Sequence, residues 1–289
     1  MAFDAPAMLS PAAGPLAWRN AALDWTVYDV AALSPAEIGL LAAETALEGA
    51  ILVVHPNPEK AGVAVEKFEG LAAFRAAPGP PVRHLALAGV GRSDLGAAAL
   101  GRALANHLGA PVAAIVAGYG AAELMEEAAG GRFLFRHAGA RRVARRWGAR
   151  ATAEAALGAL EAGRAEDRLG FEAATLLSLL REPGRRPETL LAHSRGALAL
   201  SFATNVLALA DPGAFARLGA ARVVTAGAVQ PFPEGLGAVL QILGALDWYG
   251  ELNSDPAVPR VLAPRAWHHL NPQVPAHLDL PGELARRLP

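Results

Sequence analysis

The chain of 289 residues is 53% hydrophobic and 18% charged, carries a formal net charge of −1 and has no cysteine. It is long enough to bury a large core without cross-links, and too apolar for an intrinsically disordered chain. The absence of cysteine excludes disulfides, a thiolate nucleophile and cysteine-bound metal, and the charge balance gives no footprint for nucleic acid.

The start of the chain, "MAFDAPAMLSPAAGPLAWRN", has no basic stretch followed by an apolar run, so no signal peptide is expected. Nor does any run of about 18 apolar residues suggest a transmembrane segment. A cytoplasmic protein is the expectation. "DWTVYDV" (Asp24 to Val30) reads as a first strand. The next segment, "SPAEIGLLAAETALEG", opens a helix with a serine cap, Ser34, a first-turn proline, Pro35, and a capping-box glutamate, Glu37. Strands are then expected at Ala50 to His55 and, after the turn-rich "AAPGPP" (Ala76 to Pro81), at Arg83 to Val90. Ser93 caps "DLGAAALGRALANHLG", which Gly109 ends. Further strands follow at Val112 to Gly118, Thr189 to His193, Arg222 to Val229 and Val239 to Asp247, with a helix in "GFEAATLLSLLREPG".

Several of these strands are apolar on consecutive residues, as strands covered on both faces are. Strand–helix alternation predicts an α/β fold, a doubly wound and mainly parallel sheet within one domain, 1–289. Residues 1–80 read as an N-terminal extension with an early strand and helix. Residues 121–170 read as a helical, cap-like insertion. It carries seven arginines between Arg132 and Arg150 with no acid among them. An anion site is one reading of them; a solvated helix face paired with acids such as Glu126, Glu127 or Glu154 is the preferred one.

The junction "AHSRG" (Ala192 to Gly196) joins a buried strand to a helix. Ser194 there is either a helix cap or a nucleophile. "LALAGVGRSD" is an apolar strand followed by a glycine turn, Gly89-Val90-Gly91, and a helix. A dinucleotide fingerprint is disfavoured, since its third glycine and following acid are missing. Asp247 ends the last long strand, 53 residues after Ser194; Glu251, Asp255 and Asp211 are substitutes. Three histidines follow Asp247: His268, His269 and His277, in "AWHHLNPQVPAHLDL".

From Arg83 onward, "AHSRG", "LALAGVGRSD", "VVTAGAVQPFP", "LGALDWYGELNS" and "WHHLNPQVPAHL" together resemble the α/β-hydrolase superfamily, in its lipase-like and esterase-like branches. Ala192 stands where the usual motif has glycine. The resemblance implies a nucleophile elbow at Ser194, an acid at Asp247 and a base on the last loop, in the chain order serine, acid, histidine. His268 is the expected base, with His269 and His277 as alternatives; His193 is expected beside the elbow, as a packing or oxyanion-side residue. It also implies an oxyanion hole from backbone N–H groups of Arg195 and of Val90 or Gly91, no cofactor and no metal, and a small-molecule ester or acyl substrate. The alternative is a catalytically silent member that binds a small molecule or a protein partner.

Overall fold

The computed structural model describes residues 15–42, 49–57, 63–79, 81–89, 93–116, 149–163 and 171–288. Eight strands form one sheet: β1 (Ile51–Val54), β2 (Val65–Phe68), β3 (His84–Leu87), β4 (Val112–Ile115), β5 (Thr189–His193), β6 (Arg222–Ala226), β7 (Ala238–Gly244) and β8 (Val261–Ala263). Their order across the sheet is β2-β1-β4-β3-β5-β6-β7-β8. Strands β4, β3, β5, β6, β7 and β8 pair in parallel, while β1 is antiparallel to both of its neighbours.

The helices are α1 (Pro15–Val27), α2 (Pro35–Ala42), α3 (Leu71–Ala76), α4 (Asp94–Leu108), α5 (Ala149–Glu161), α6 (Phe171–Arg181), α7 (Arg195–Ala210), α8 (Pro212–Ala216), α9 (Trp248–Leu252) and α10 (Leu280–Arg287). They cover both sides of the sheet. Successive strand residues point to opposite faces, and in this chain both faces are apolar. Leu52, Val54, Ala86, Leu191, Val224 and Ile242 meet α1, α2, α4 and α10. Ile51, Val53, Leu85, Leu87, Leu190 and Val223 meet α3, α5, α6, α7 and α8. The continuous apolar runs of β1 and β3 to β6 follow from this double burial. Among the described residues, no helix is long and apolar enough to cross a membrane.

The caps form as expected. Ser34 N–H donates to Glu37 Oε2 at 2.8 Å and Glu37 N–H to Ser34 Oγ at 3.2 Å, a reciprocal capping box. Ser93 Oγ accepts from Leu95 N–H at 3.2 Å, and Gly109 takes φ 63° at the end of α4.

The segment Asp24 to Val30 is not a strand. α1 runs through it to Val27, and Tyr28 N–H donates to Asp24 O at 2.7 Å, four residues back. A short 3-10 turn, Val30–Ala32, follows. The β-favouring residues Trp25, Thr26, Val27 and Tyr28 yield to tertiary packing: Asp24 and Tyr28, one helical turn apart, are both fully buried. Strands β1 and β2, from the N-terminal extension, extend the sheet past β4. Of the expected insertion over 121–170, only α5 and its last turn, up to residue 163, fall among the described residues. Of its seven arginines only Arg150 is described, and it pairs with Glu154 at 3.0 Å.

Candidate active site

In a sheet of parallel strands, every strand leads out at the same edge, and side chains from distant parts of the sequence meet there. Here that edge carries Gly89 after β3, Ser194 after β5, Gly227 after β6 and Asp247 shortly after β7, with the loop after β8 carrying His268.

Ser194 sits between β5 and α7 with φ 53° and ψ −119°. A residue with a Cβ adopts this conformation only at a cost on the order of 1–3 kcal/mol, and only where its surroundings impose it. The surroundings do so from three sides. Ser194 N–H donates to Ala226 O of β6 at 2.8 Å. A Cβ on Gly196 would lie 2.4 Å from Leu87 O, and a Cβ on Gly89 would lie 2.7 Å from Ser194 Cβ and 2.4 Å from His193 O. The two glycines let β3, the elbow and α7 approach within backbone contact. Ser194 makes no side-chain cap bond to α7, so the capping role open to it in the sequence is not the one it takes.

The serine hydroxyl is instead 2.8 Å from His268 Nε2, and His268 Nδ1 is 2.8 Å from Asp247 Oδ2. All three residues are buried. A carboxylate only accepts, so Nδ1 carries the imidazole proton; Nε2 is then the acceptor for the Ser194 hydroxyl. Asp247 is held in turn. It caps α9, and its Oδ1 accepts from Gly250 N–H at 2.6 Å. Gly250 has no room for a side chain, since a Cβ would lie 2.3 Å from Asp247 Oδ2. Tyr249 packs edge-on against the His268 ring at 4.9 Å, and Gly227, at φ 73°, leaves that ring its space: a Cβ there would lie 3.0 Å from His268 Cε1. A serine oxygen facing an imidazole that a carboxylate orients can pass its proton to the ring as it bonds to an electrophile.

The other candidates are engaged elsewhere. His269 Nε2 lies 3.0 Å from Pro275 O. Burial holds its imidazole below the ordinary range. His277 lies within electrostatic range of Asp29. Glu251 pairs with Arg260 at 2.7 Å, Asp211 with Arg181 at 2.9 Å, and Asp255 Oδ1 accepts from Ala257 N–H at 3.0 Å. Arg195 begins α7, so its N–H is one of the four that a helix start leaves without a partner inside the helix; its side chain lies 3.6 Å from Glu172. Val90 and Gly91 lie outside the described residues. Among the described residues, no group of three or more His, Asp or Glu is placed to hold a metal ion.

Two further rings belong to the site: His193, expected to pack beside the elbow, and Tyr28, which has no sequence signal. His193 is fully buried beneath His268, with ring centroids 5.1 Å apart, and its Nε2–H donates to His268 O at 2.9 Å. Burial, together with the neighbouring His268, pushes its imidazole down to about 3. Tyr28, the residue after α1, packs edge-on against His193 at 5.3 Å. The periodicity that identifies core positions does not reveal that these two rings meet edge to face next to His268. No family model, no curated protein and no solved structure matches the chain.

Proposed function

We propose that the protein is a serine hydrolase of the α/β-hydrolase type that cleaves an ester-like acyl bond. The observation that carries this reading is Ser194 Oγ at 2.8 Å from His268 Nε2, with the serine on a strained strand–helix elbow. A structural serine would gain nothing from that conformation, whereas a nucleophile gains a hydroxyl lifted off the end of the strand toward its base. The chain order serine, acid, histidine supports the same reading, as does the gathering of all three at the ends of parallel strands.

In this mechanism Ser194 Oγ attacks the acyl carbon while His268 Nε2 takes its proton. Asp247 stabilises the imidazolium and keeps its tautomer. The oxyanion is bound by the N–H of Arg195 and by a second backbone N–H, from Val90 or Gly91. The imidazolium gives its proton to the leaving alkoxide, and water then enters by the same base to release the acid.

A fluorophosphonate probe tests the reading. The wild-type protein should be labelled on Ser194, as located by peptide mass spectrometry, and Ser194→Ala should not. The same substitution should lower turnover of a short p-nitrophenyl ester on the order of a million-fold. A folded wild-type protein that takes no label would instead be a silent member of the fold, one that binds without reacting.

A further inference from the structure

Helix α1 and Tyr28, the residue after it, touch two segments of the candidate site, the β3–α4 connection with the start of α4 and the loop after β8. Gly89 N–H donates to the Tyr28 hydroxyl at 2.7 Å. The Ser93 hydroxyl donates to Asp24 Oδ2, and Gly96 N–H donates to the same oxygen at 2.9 Å. Leu270 N–H donates to Val27 O at 2.6 Å, and the Asn271 side-chain amide donates to Trp25 O. Gly89 and Ser93 are the described ends of the β3–α4 connection, and Leu270 and Asn271 follow the base His268.

The direction of the hydrogen bonds around Tyr28 is fixed by chemistry. His268 O can only accept, so the proton of His193 is on Nε2, which donates to it. His193 Nδ1 is therefore an acceptor, and the Tyr28 hydroxyl, 3.3 Å away, donates to it. The same hydroxyl accepts from Gly89. The sequence of donors runs one way, from Gly89 N–H through Tyr28 and His193 to the backbone of His268.

We propose that the end of α1 is the positioning element of the site, with Tyr28 fixing Gly89 against the elbow, Asp24, one turn before it, fixing Ser93 at the start of α4, and Tyr28 tying that register to the backbone of the base. The inference rests on the hydrolase reading above and extends it to residues remote from it in sequence. Gly89 is the contact that matters most. It lies against Ser194 with no room for a Cβ, so a shift of Gly89 is a shift of the wall beside the nucleophile. Asp24 acts at the other end. Gly96 is bare where Asp24 Oδ1 approaches, since a Cβ there would lie 2.4 Å away. Burial pushes the Asp24 carboxyl up, against the hydrogen bonds from Ser93 and Gly96. A neutral amide of the same shape therefore suits the position better than a truncated side chain.

The role separates from simple packing by its kinetics. Tyr28→Phe keeps the ring and removes the hydroxyl. It should label with the fluorophosphonate on the order of ten- to a hundredfold more slowly, because small displacements beside a reacting atom cost that much. On a short p-nitrophenyl ester the loss should fall on kcat, with KM changed by less than about twofold, since an interaction used only in the transition state is the one removed. Asp24→Ala should lose reactivity in the same way, and Asp24→Asn should recover most of that loss.

Amide hydrogen exchange over residues 84–96 gives a reading independent of chemistry. It should speed up in Tyr28→Phe and Asp24→Ala, with the melting temperature holding the folded state in view. Tyr28→Phe labelling at the wild-type rate, Asp24→Asn as slow as Asp24→Ala, or unchanged exchange over 84–96 would each overturn the proposal. A wild-type protein that takes no label at all overturns the hydrolase reading instead, and the exchange result then judges the clamp by itself.

Discussion

A carboxylate accepts hydrogen bonds and does not donate them, and that property of Asp247 orders the site. It assigns the proton of His268 to Nδ1 and leaves Nε2 to face Ser194. Asp247→Asn reverses the assignment. The amide oxygen would stay on Gly250 N–H, the amide nitrogen would face the imidazole, and the ring would turn its N–H toward the serine. Turnover of a short ester should fall on the order of ten-thousand-fold with the fold intact by circular dichroism; a mild effect would exclude Asp247 as the acid. At this scale the sequence carries much of the site. Small residues around Ser194 betray the close backbone approach of an elbow, and the late histidines narrow the candidate base to three. The choice among them is harder, because His268 and His269 are neighbours, and what divides them is the bond of His269 to Pro275 O. The parts played by Tyr28 and Asp24 leave no local trace: Tyr28 and His193 are 165 positions apart.

Elements were legible where burial was two-sided. β1, β3, β4, β5 and β6 announce themselves by consecutive apolar residues. β2, "VEKF", lies beyond β1 and has one buried residue in four, and β8 has three residues in all, so neither gives a hydrophobic run. α2 shows both kinds of information in one residue. The capping box of Ser34 and Glu37 is readable from spacing. That Glu37 also meets Arg102 of α4 at 2.6 Å, and accepts from Ala64 N–H at 2.8 Å, is not. Both charged groups are fully buried. Burial pushes the Glu37 carboxyl up, but the N–H donors of Ser34 and Ala64 and the Arg102 guanidinium outweigh it and hold it below its ordinary 4.5. A carboxyl depressed by folding adds stability above its unfolded value, and that stability is lost as pH falls through the folded one. Glu37→Gln should therefore destabilise at neutral pH, by about 3–5 kcal/mol for a broken buried pair. The gap in melting temperature from wild type should close as the solution is acidified below about 4.5, the ordinary carboxyl value. A gap that stays constant with pH would show that the ion pair is not what is lost.

Across the whole molecule, the two ends of the described chain share one core. Tyr28, Val30 and Leu33 pack in the same cluster as Leu278, Leu280, Leu284 and Leu288, and His107 of α4 donates to Leu288 O at 2.7 Å. The expected N-terminal extension is thus tied to the last helix and, through Leu270 and Asn271, to the loop of the candidate base. Such interlocking predicts one cooperative thermal transition, with helix content, tryptophan fluorescence and fluorophosphonate labelling lost together; separate steps would mean that the N-terminal segment unfolds by itself. The bonds of α1 also impose an order in time. Trp25 and Asn271 are 246 positions apart, and at ribosomal rates the second follows the first by on the order of ten to fifty seconds. Helix and hairpin formation take microseconds. For most of its synthesis, the nascent chain therefore presents the Asp24–Tyr28 face before its partners at His193, Leu270 and Asn271 exist. The apolar side chains of the same helix, Ala21, Leu23, Trp25 and Val27, wait as long for the rest of their core, which makes the helix a natural target for a holding chaperone, and for aggregation where none is at hand.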